Sequence, residues 1–246
     1  MGEPAGMKRP GRRIARLVSA VGKRRRRVEP EPRARLGLDE RRAQLLMLGR
    51  KLFSERAYDE IQIDDIAEAA GISKGLLYHY FGSKRGFYVA TVREAAEALL
   101  AATVTDAALP PPERAQRSME AFLDFVEQHG GAYVALLRGG IGTDPEVLAI
   151  VDGTRNAFID RFVTNLGLAA PRPVFRLAAR SWVGLVEAAS LDWVERRAVD
   201  RATMLRFLLE TLYQILFIAL RMDPEAPITL EPLPPSPERR TRRDPR

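Results

Sequence analysis

Five side chains that could do chemistry crowd into one short stretch: Ser73, Lys74, Tyr78, His79 and Tyr80, in AGISKGLLYHYF from Ala70 to Phe81. A hydroxyl, an ammonium, an imidazole and two phenols could move protons, hold a ligand, or donate hydrogen bonds to an anionic surface. Proton transfer needs a second group to relay or orient, and the sequence does not supply one. The chain has two histidines, the other being His129 far downstream, and no cysteine. No Ser-His-Asp arrangement, HExxH segment or glycine-rich phosphate loop occurs. The reading is therefore of no catalytic residue, no metal site, no cofactor and no enzyme. His129 follows DFVEQ at an expected helix end, where the negative end of the dipole would favour it.

The elements around the stretch decide what its side chains face. IDDIAEAA (Ile63–Ala70) places Ile63, Ile66, Ala67 and Ala70 on one helical face. Gly71 supplies a left-handed residue to end that helix, and Ser73 caps a second one over Lys74–Tyr80. Two short helices joined by Gly-Ile-Ser form a helix-turn-helix. Ile72 plugs the space between them, Gly75 permits close approach, and Leu77, Phe81 and Leu76 anchor the second helix. Ser73, Lys74, Tyr78, His79 and part of Tyr80 remain outward, as a recognition helix presents donors to base edges and phosphates. A helix over Leu38–Tyr58, with Leu45, Leu48, Leu52 and Phe53 on one face, would support the pair, and Ser83 would cap the next helix, Lys84 to about Ala102.

The segment IDDIAEAAGISKGLLYHYFGSKRGFY resembles the DNA-binding signature of the TetR family of transcriptional regulators, roughly I-A-x-x-A-G-V-S-x-G-x-L-Y-x-Y-F-x-S-K-x-x-L. Ile66, Ala67, Ala70, Gly71, Ser73, Gly75, Leu77, Tyr78, Tyr80, Phe81, Ser83 and Lys84 meet it, within a region from Leu38 to Tyr88. The resemblance implies that Tyr78 and Tyr80 contact phosphates, that Lys74 and His79 reach bases or phosphates, and that Lys84 holds a phosphate. Two positions depart from the pattern. Gln62 stands where a capping threonine is usual, and Gly86 where a helix-favouring residue is common.

Charge is unevenly distributed. Residues 1–37 carry 12 Lys/Arg against 3 Asp/Glu, whereas residues 38–88 carry 8 of each. A neutral reading head neutralises little phosphate, so the basic arm, read as poorly ordered, is expected to supply the salt-dependent part of DNA affinity. Ile14, Leu17, Val18 and Val21 within it could line one helical face. From Asp223 onward, seven prolines in 24 residues read as a tail that buries no core. The expected domains are 1–37, the arm; 38–85, the reading head; 86–222, a helical effector-binding and dimerisation domain; and 223–246, the Pro-rich tail.

Between the tails no period-2 strand run occurs, and the fold class is all-α. Further helices are expected near Pro111–Gln128, Ala132–Arg138, Pro145–Leu166, Pro173–Val199 and Arg201–Met222. The last two each carry two apolar stripes, which implies burial on both sides and a homodimer formed by a four-helix contact. Two reading heads would then meet successive major grooves about 34–36 Å apart on a pseudo-palindromic double-stranded DNA operator. Phe122, Phe125, Tyr133, Leu136, Leu137, Ile150, Phe158, Phe162, Trp182 and Leu185 could wall an apolar pocket. By resemblance, a small hydrophobic effector there would release the operator, making the protein a repressor. The lack of cysteine suits a reducing cytoplasm, and the most apolar stretch, LYQILFIAL, is too short to span a bilayer. The rival reading is a constitutive architectural DNA-binding dimer without an effector.

Overall fold

The first amphipathic segment becomes α1, Leu38–Glu55, which buries Leu45, Leu46, Gly49 and Phe53. It ends three residues before the expected Tyr58, because Tyr58–Glu60 forms a separate 3-10 turn. The helices that follow are α2 (Ile63–Ala70), α3 (Lys74–Phe81), α4 (Lys84–Ala102), α5 (Pro111–Arg138), α6 (Pro145–Asn165), α7 (Pro173–Arg196) and α8 (Arg201–Met222). This is a computed structural model, and it describes residues 37–138, 144–168 and 172–230. The basic arm before Gly37, its Ile14–Val21 stripe and the Pro-rich tail beyond Leu230 lie outside the described residues. Among the described residues there are only helices and connections, as expected of an all-α chain.

The local devices in the head act at the expected residues. Gly71 takes the left-handed conformation (φ 62°) at the end of α2. Ser73 Oγ accepts from Leu76 N at 3.2 Å, and Ser83 Oγ accepts from Gly86 N at 2.9 Å. Gln62 gives no side-chain cap; instead the Asp65 carboxylate accepts from its backbone N–H at 3.1 Å and pairs with Arg56. These contacts hold the Asp65 carboxyl below its ordinary range, the backbone N–H first. Gly86, which looks like a weak helix residue in sequence, is required sterically: a Cβ there would lie 2.1 Å from Phe81 O.

The break expected between Pro111–Gln128 and Ala132–Arg138 appears as a kink inside α5, where two helical halves meet at His129. α5 runs through His129, whose backbone (φ −124°, ψ 21°) kinks it. Two glycines follow, so the chain bends without breaking. α1 lies along α5, and a Cβ on Gly131 would sit 2.8 Å from Ser54 O of α1. α7 stops at Arg196, because Arg197 turns left-handed (φ 49°) with its guanidinium over the Trp193 ring at 4.3 Å.

The tail also departs from expectation at its start. Ala226 is buried, and Ile228 and Leu230 pack on the cluster formed by Phe175, Leu212 and Leu216. An apolar residue at alternate positions is enough to seat this strap, prolines notwithstanding.

Among the described residues α8 is one helix long and apolar enough to cross a membrane by length and composition. Its inward face, however, supplies Met204, Leu208, Leu212 and Leu216 to the cores it shares with α5 and α7.

Candidate DNA interface and internal cavity

α3 presents a polar face held by a small aromatic core. Leu77 points inward and is 1% exposed, while Lys74, Tyr78 and His79 point out. Tyr80 is half-buried between the His79 and Phe81 rings, with centroids at 5.9 and 6.0 Å. Phe81 stacks edge-on against Phe87 of α4 at 4.9 Å, and Phe87 against Phe53 of α1 at 5.9 Å. α3 is therefore anchored mainly through rings, with an ion pair from Lys74 to Asp64 of α2 on its outward side.

Of the six residues singled out in sequence, Ser73, Lys74, Tyr78 and His79 are exposed on α3 or its cap, Tyr80 is half-buried, and Lys84 opens α4; the structure adds their neighbours. Lys74 pairs with Asp64 of α2. The Lys84 ammonium sits over the Tyr58 ring at 4.1 Å, which holds it in place without neutralising it. Arg42, which sequence periodicity did not single out, lies over the Phe81 ring at 5.6 Å and adds a cation beside the end of α3. Only the fold brings it there, from the second turn of α1. Arg85 is held away by both oxygens of Asp144, the N-cap of α6, at 2.6 and 2.8 Å, and also reaches Glu146. That guanidinium holds the Asp144 carboxyl well below its ordinary range.

Behind the head lies a cavity of about 360 Å³. Of the ten residues expected to wall it, Phe122, Phe125, Tyr133, Leu137, Ile150, Phe158, Phe162 and Trp182 do so. Leu185 does not. Trp182, Val183, Val186 and Glu187 form the cavity face of α7, and Leu185 is turned off that face into the neighbouring core. The side chain of Leu136 lies outside the described residues. Trp182 Nε1 donates to Leu208 O at 3.2 Å, and Trp193 Nε1 to Val199 O at 2.9 Å, so both indoles are satisfied.

Apart from Tyr133, the polar groups of the wall were not picked out in sequence. Tyr133 and Ser190 share a buried hydrogen bond of 3.0 Å, and burial pushes the phenol far above its ordinary range. Arg155 and Glu187 form a two-pronged pair at 2.8 and 2.9 Å. Arg50, Arg114 and Arg161 also line the space. Nothing in a helical period marks such arginines as inward-facing, since most arginines on amphipathic helices face water.

His129 also lines the cavity, with its ring 4.6 Å from that of Phe125. It sits at the kink where the two halves of α5 meet, and burial, then the charge of Arg50, pushes its pKa below the ordinary value, Glu94 opposing. A lowered folded-state pKa means that the unfolded chain takes up the proton first as pH falls through about 6.5. Stability from neutral His129 is therefore present above that pH and lost below it. In His129→Gln the difference in Tm between about pH 7.5 and about pH 5.5 should shrink relative to wild type. An unchanged difference would show that other groups carry it.

A helix-turn-helix with α4 running from its edge into a helical bundle around a cavity is the outline of a DNA-binding regulator with a second helical domain. The comparisons make the family specific. Residues 45–91 match the model of bacterial regulatory proteins of the tetR family, and residues 111–215 match that of the tetracyclin repressor-like C-terminal domain. The chain belongs to the TetR family of transcriptional regulators, whose members bind DNA and usually act as dimers. It is 31% identical over 178 residues to the HTH-type transcriptional activator FasR of Mycolicibacterium smegmatis, spanning 68% of this chain and 78% of that protein. It is 34% identical over 94 residues to the HTH-type transcriptional repressor KstR2 of Mycobacterium tuberculosis, spanning 37% of this chain and 47% of that one. Among solved structures, a tetR-family regulator from Streptomyces coelicolor superposes with a TM-score of 0.71 at 35% identity, covering 77% of this chain and 86% of that one. A TetR-like regulator from Rhodococcus sp. RHA1 gives 0.61 at 28% identity, covering 74% and 99%.

Proposed function

We propose that the protein is a homodimeric, sequence-specific repressor that leaves its operator when a small lipophilic effector fills the cavity. The observation that carries the reading is the cavity itself, apolar over most of its wall and bounded by Arg50 of α1 and by α4, both of which reach the reading head. A ligand there can bind the DNA-free arrangement better than the DNA-bound one, which is all that release requires. A constitutive architectural protein would have a filled core in that place.

The dimer is proposed through α7 and α8. Leu177 on α7 and Phe207, Phe217 and Ile218 on α8 are large apolar side chains left exposed, 62%, 49%, 45% and 54%, while the opposite sides of both helices are buried. Relatives include an activator as well as repressors, and repression is our reading for this chain.

Ser73, Lys74, Tyr78, His79, Tyr80 and Lys84 are proposed to touch DNA. Tyr78→Ala should weaken binding to all sequences alike, because a phosphate contact positions the head without reading it. Lys74→Ala should cost about 1–3 kcal/mol and relax base preference if the ammonium exchanges Asp64 for a base edge. DNA binding untouched by both changes, measured by titration, would remove α3 as the reading helix. Deleting residues 1–37 should lower affinity and flatten its salt dependence while preserving the preferred sequence; an unaltered salt slope would discard the role given to the arm. The encompassing experiment is selection from a random DNA pool at fixed salt. A pseudo-palindromic site is expected, and enrichment of A·T content alone would favour the architectural reading instead.

A further inference from the structure

Four arginines and one carboxylate line the cavity, and the arginines are not equivalent. Arg155 is neutralised by Glu187 and also reaches Asp152. Arg50 pairs with Glu94 at 3.2 Å. Arg114 and Arg161 have no carboxylate partner among the described residues. Arg161 donates to Thr103 Oγ1 at 3.0 Å and to Leu100 O at 3.1 Å. Arg114 makes only long contacts, to Asn165 Oδ1 at 3.4 Å and Asn165 O at 3.3 Å, and its Nε is buried with no hydrogen-bond partner.

These two cations share one end of the cavity. Arg161 and Asn165, which holds Arg114, are one turn apart on the same face of α6. Arg161 also reaches the last turn of α4, where Ser118 Oγ, one turn beyond Arg114 on α5, donates to Thr103 O at 3.1 Å. The strap from Pro227 to Leu230 lines the cavity, and its Ile228 and Leu230 join Ala115, Phe162 and Leu166 in one apolar cluster, so it lies over this same end. The rest of the wall, from Phe122 and Phe158 to Trp182, is apolar.

Placing a guanidinium in such a wall is costly unless a counter-charge arrives. Burial lowers the pKa of Arg161, as expected of a cation short of solvent and of acid. Neutral carbonyls and an amide satisfy part of the geometry and none of the charge. We propose that the Arg114–Arg161 end of the cavity is an anion subsite, and that the effector is an amphipathic molecule with one carboxylate at this end and its apolar body against Phe122, Phe158 and Trp182. The proposal rests on the effector reading of the cavity and specifies its ligand. A carboxylate would accept from both guanidinium groups, taking up the unpartnered Nε of Arg114. A phosphate monoester offers the same chemistry and is separated from the carboxylate by the test.

The test titrates the full-length protein with dodecanoate, dodecyl phosphate and dodecanol below their aggregation limits, following Trp182 fluorescence against a Trp193→Phe background. Dodecanoate should bind at least roughly tenfold more tightly than dodecanol, the size expected of a charge-assisted hydrogen bond. Arg114→Gln and Arg161→Gln should each remove most of that preference while leaving dodecanol unchanged. Arg114→Lys should retain much of it, and thermal unfolding of each variant shows that the fold is intact. Tighter binding of dodecyl phosphate than of dodecanoate would replace the carboxylate with a phosphate in the same subsite and overturn the proposal as stated. Equal binding of dodecanoate and dodecanol, or equal weakening of both by the arginine changes, would overturn the anion subsite and leave the lipophilic-effector reading standing. If no probe quenches Trp182, both fall together.

Discussion

Phe87→Ala should destabilise the protein by about 3–5 kcal/mol, the cost of removing a fully enclosed ring. Phe87 is 0% exposed and stands where three helices meet. Its ring touches Phe81, which ends the recognition helix, and Phe53, which belongs to α1. Its Cζ also lies where a Cβ on Gly49 would come within 2.8 Å, so α1 approaches α4 closely only because residue 49 has no side chain. Gly49→Ala alone should cost about 1–3 kcal/mol through overpacking. In a Phe87→Ala background that cost should fall, because part of the added methyl then enters the vacated space; contact with Thr91 Oγ1 remains. Denaturant unfolding of the four proteins in the cycle measures the coupling, expected to exceed about 0.5 kcal/mol. Simple additivity would mean that the ring does not set the distance between α1 and α4. DNA affinity should fall in Phe87→Ala beyond the loss of folded protein, since α3 loses the ring that fixes its far end.

Glu187→Ala is the second large effect. Arg155 and Glu187 are each about three-quarters buried, with side-chain exposures of 27% and 24%. Removing the carboxylate leaves the guanidinium with Asp152 alone, at 2.9 Å, and strands one face of it in an apolar wall. Breaking a fully buried pair costs about 3–5 kcal/mol, and residual solvent access should reduce that to about 2–3 kcal/mol here. The double change Arg155→Met, Glu187→Leu should recover most of the loss, because the pair's net worth is small once both desolvation costs are removed. Thermal and denaturant unfolding distinguish these outcomes. A single change within about 0.5 kcal/mol of wild type would show that water reaches Arg155 freely.

What the sequence disclosed and what it withheld divide along physical lines. Gly71, Ser73 and Ser83 act through local backbone geometry, so a reader of sequence can place them within a residue. The apolar faces of α2 and α3 follow from helical period, and the eight correct cavity residues follow from the same rule applied to longer helices. Leu185 fails because apolar character alone does not say which of two buried faces a residue occupies. Gly130 and Gly131 marked the join in α5, which the backbone makes as a kink at the adjacent His129. Arg42, Arg114 and Arg161 were invisible for a different reason. Where each side chain sits depends on what packs around it in space, and sequence distance carries no such information. Ala226, Ile228 and Leu230 were hidden by the prolines around them.

The close approach of Gly131 to Ser54 has a consequence for anyone building a hybrid regulator. α1 rests on α5 across a gap with no room for a side chain, and α4 passes unbroken from the reading head into the cavity wall. A cut between residues 85 and 86 would therefore sever one helix and leave the other facing a foreign surface. Exchange of specificity with a related regulator should instead graft only the outward positions of α3 and leave residues 49, 54 and 131 native.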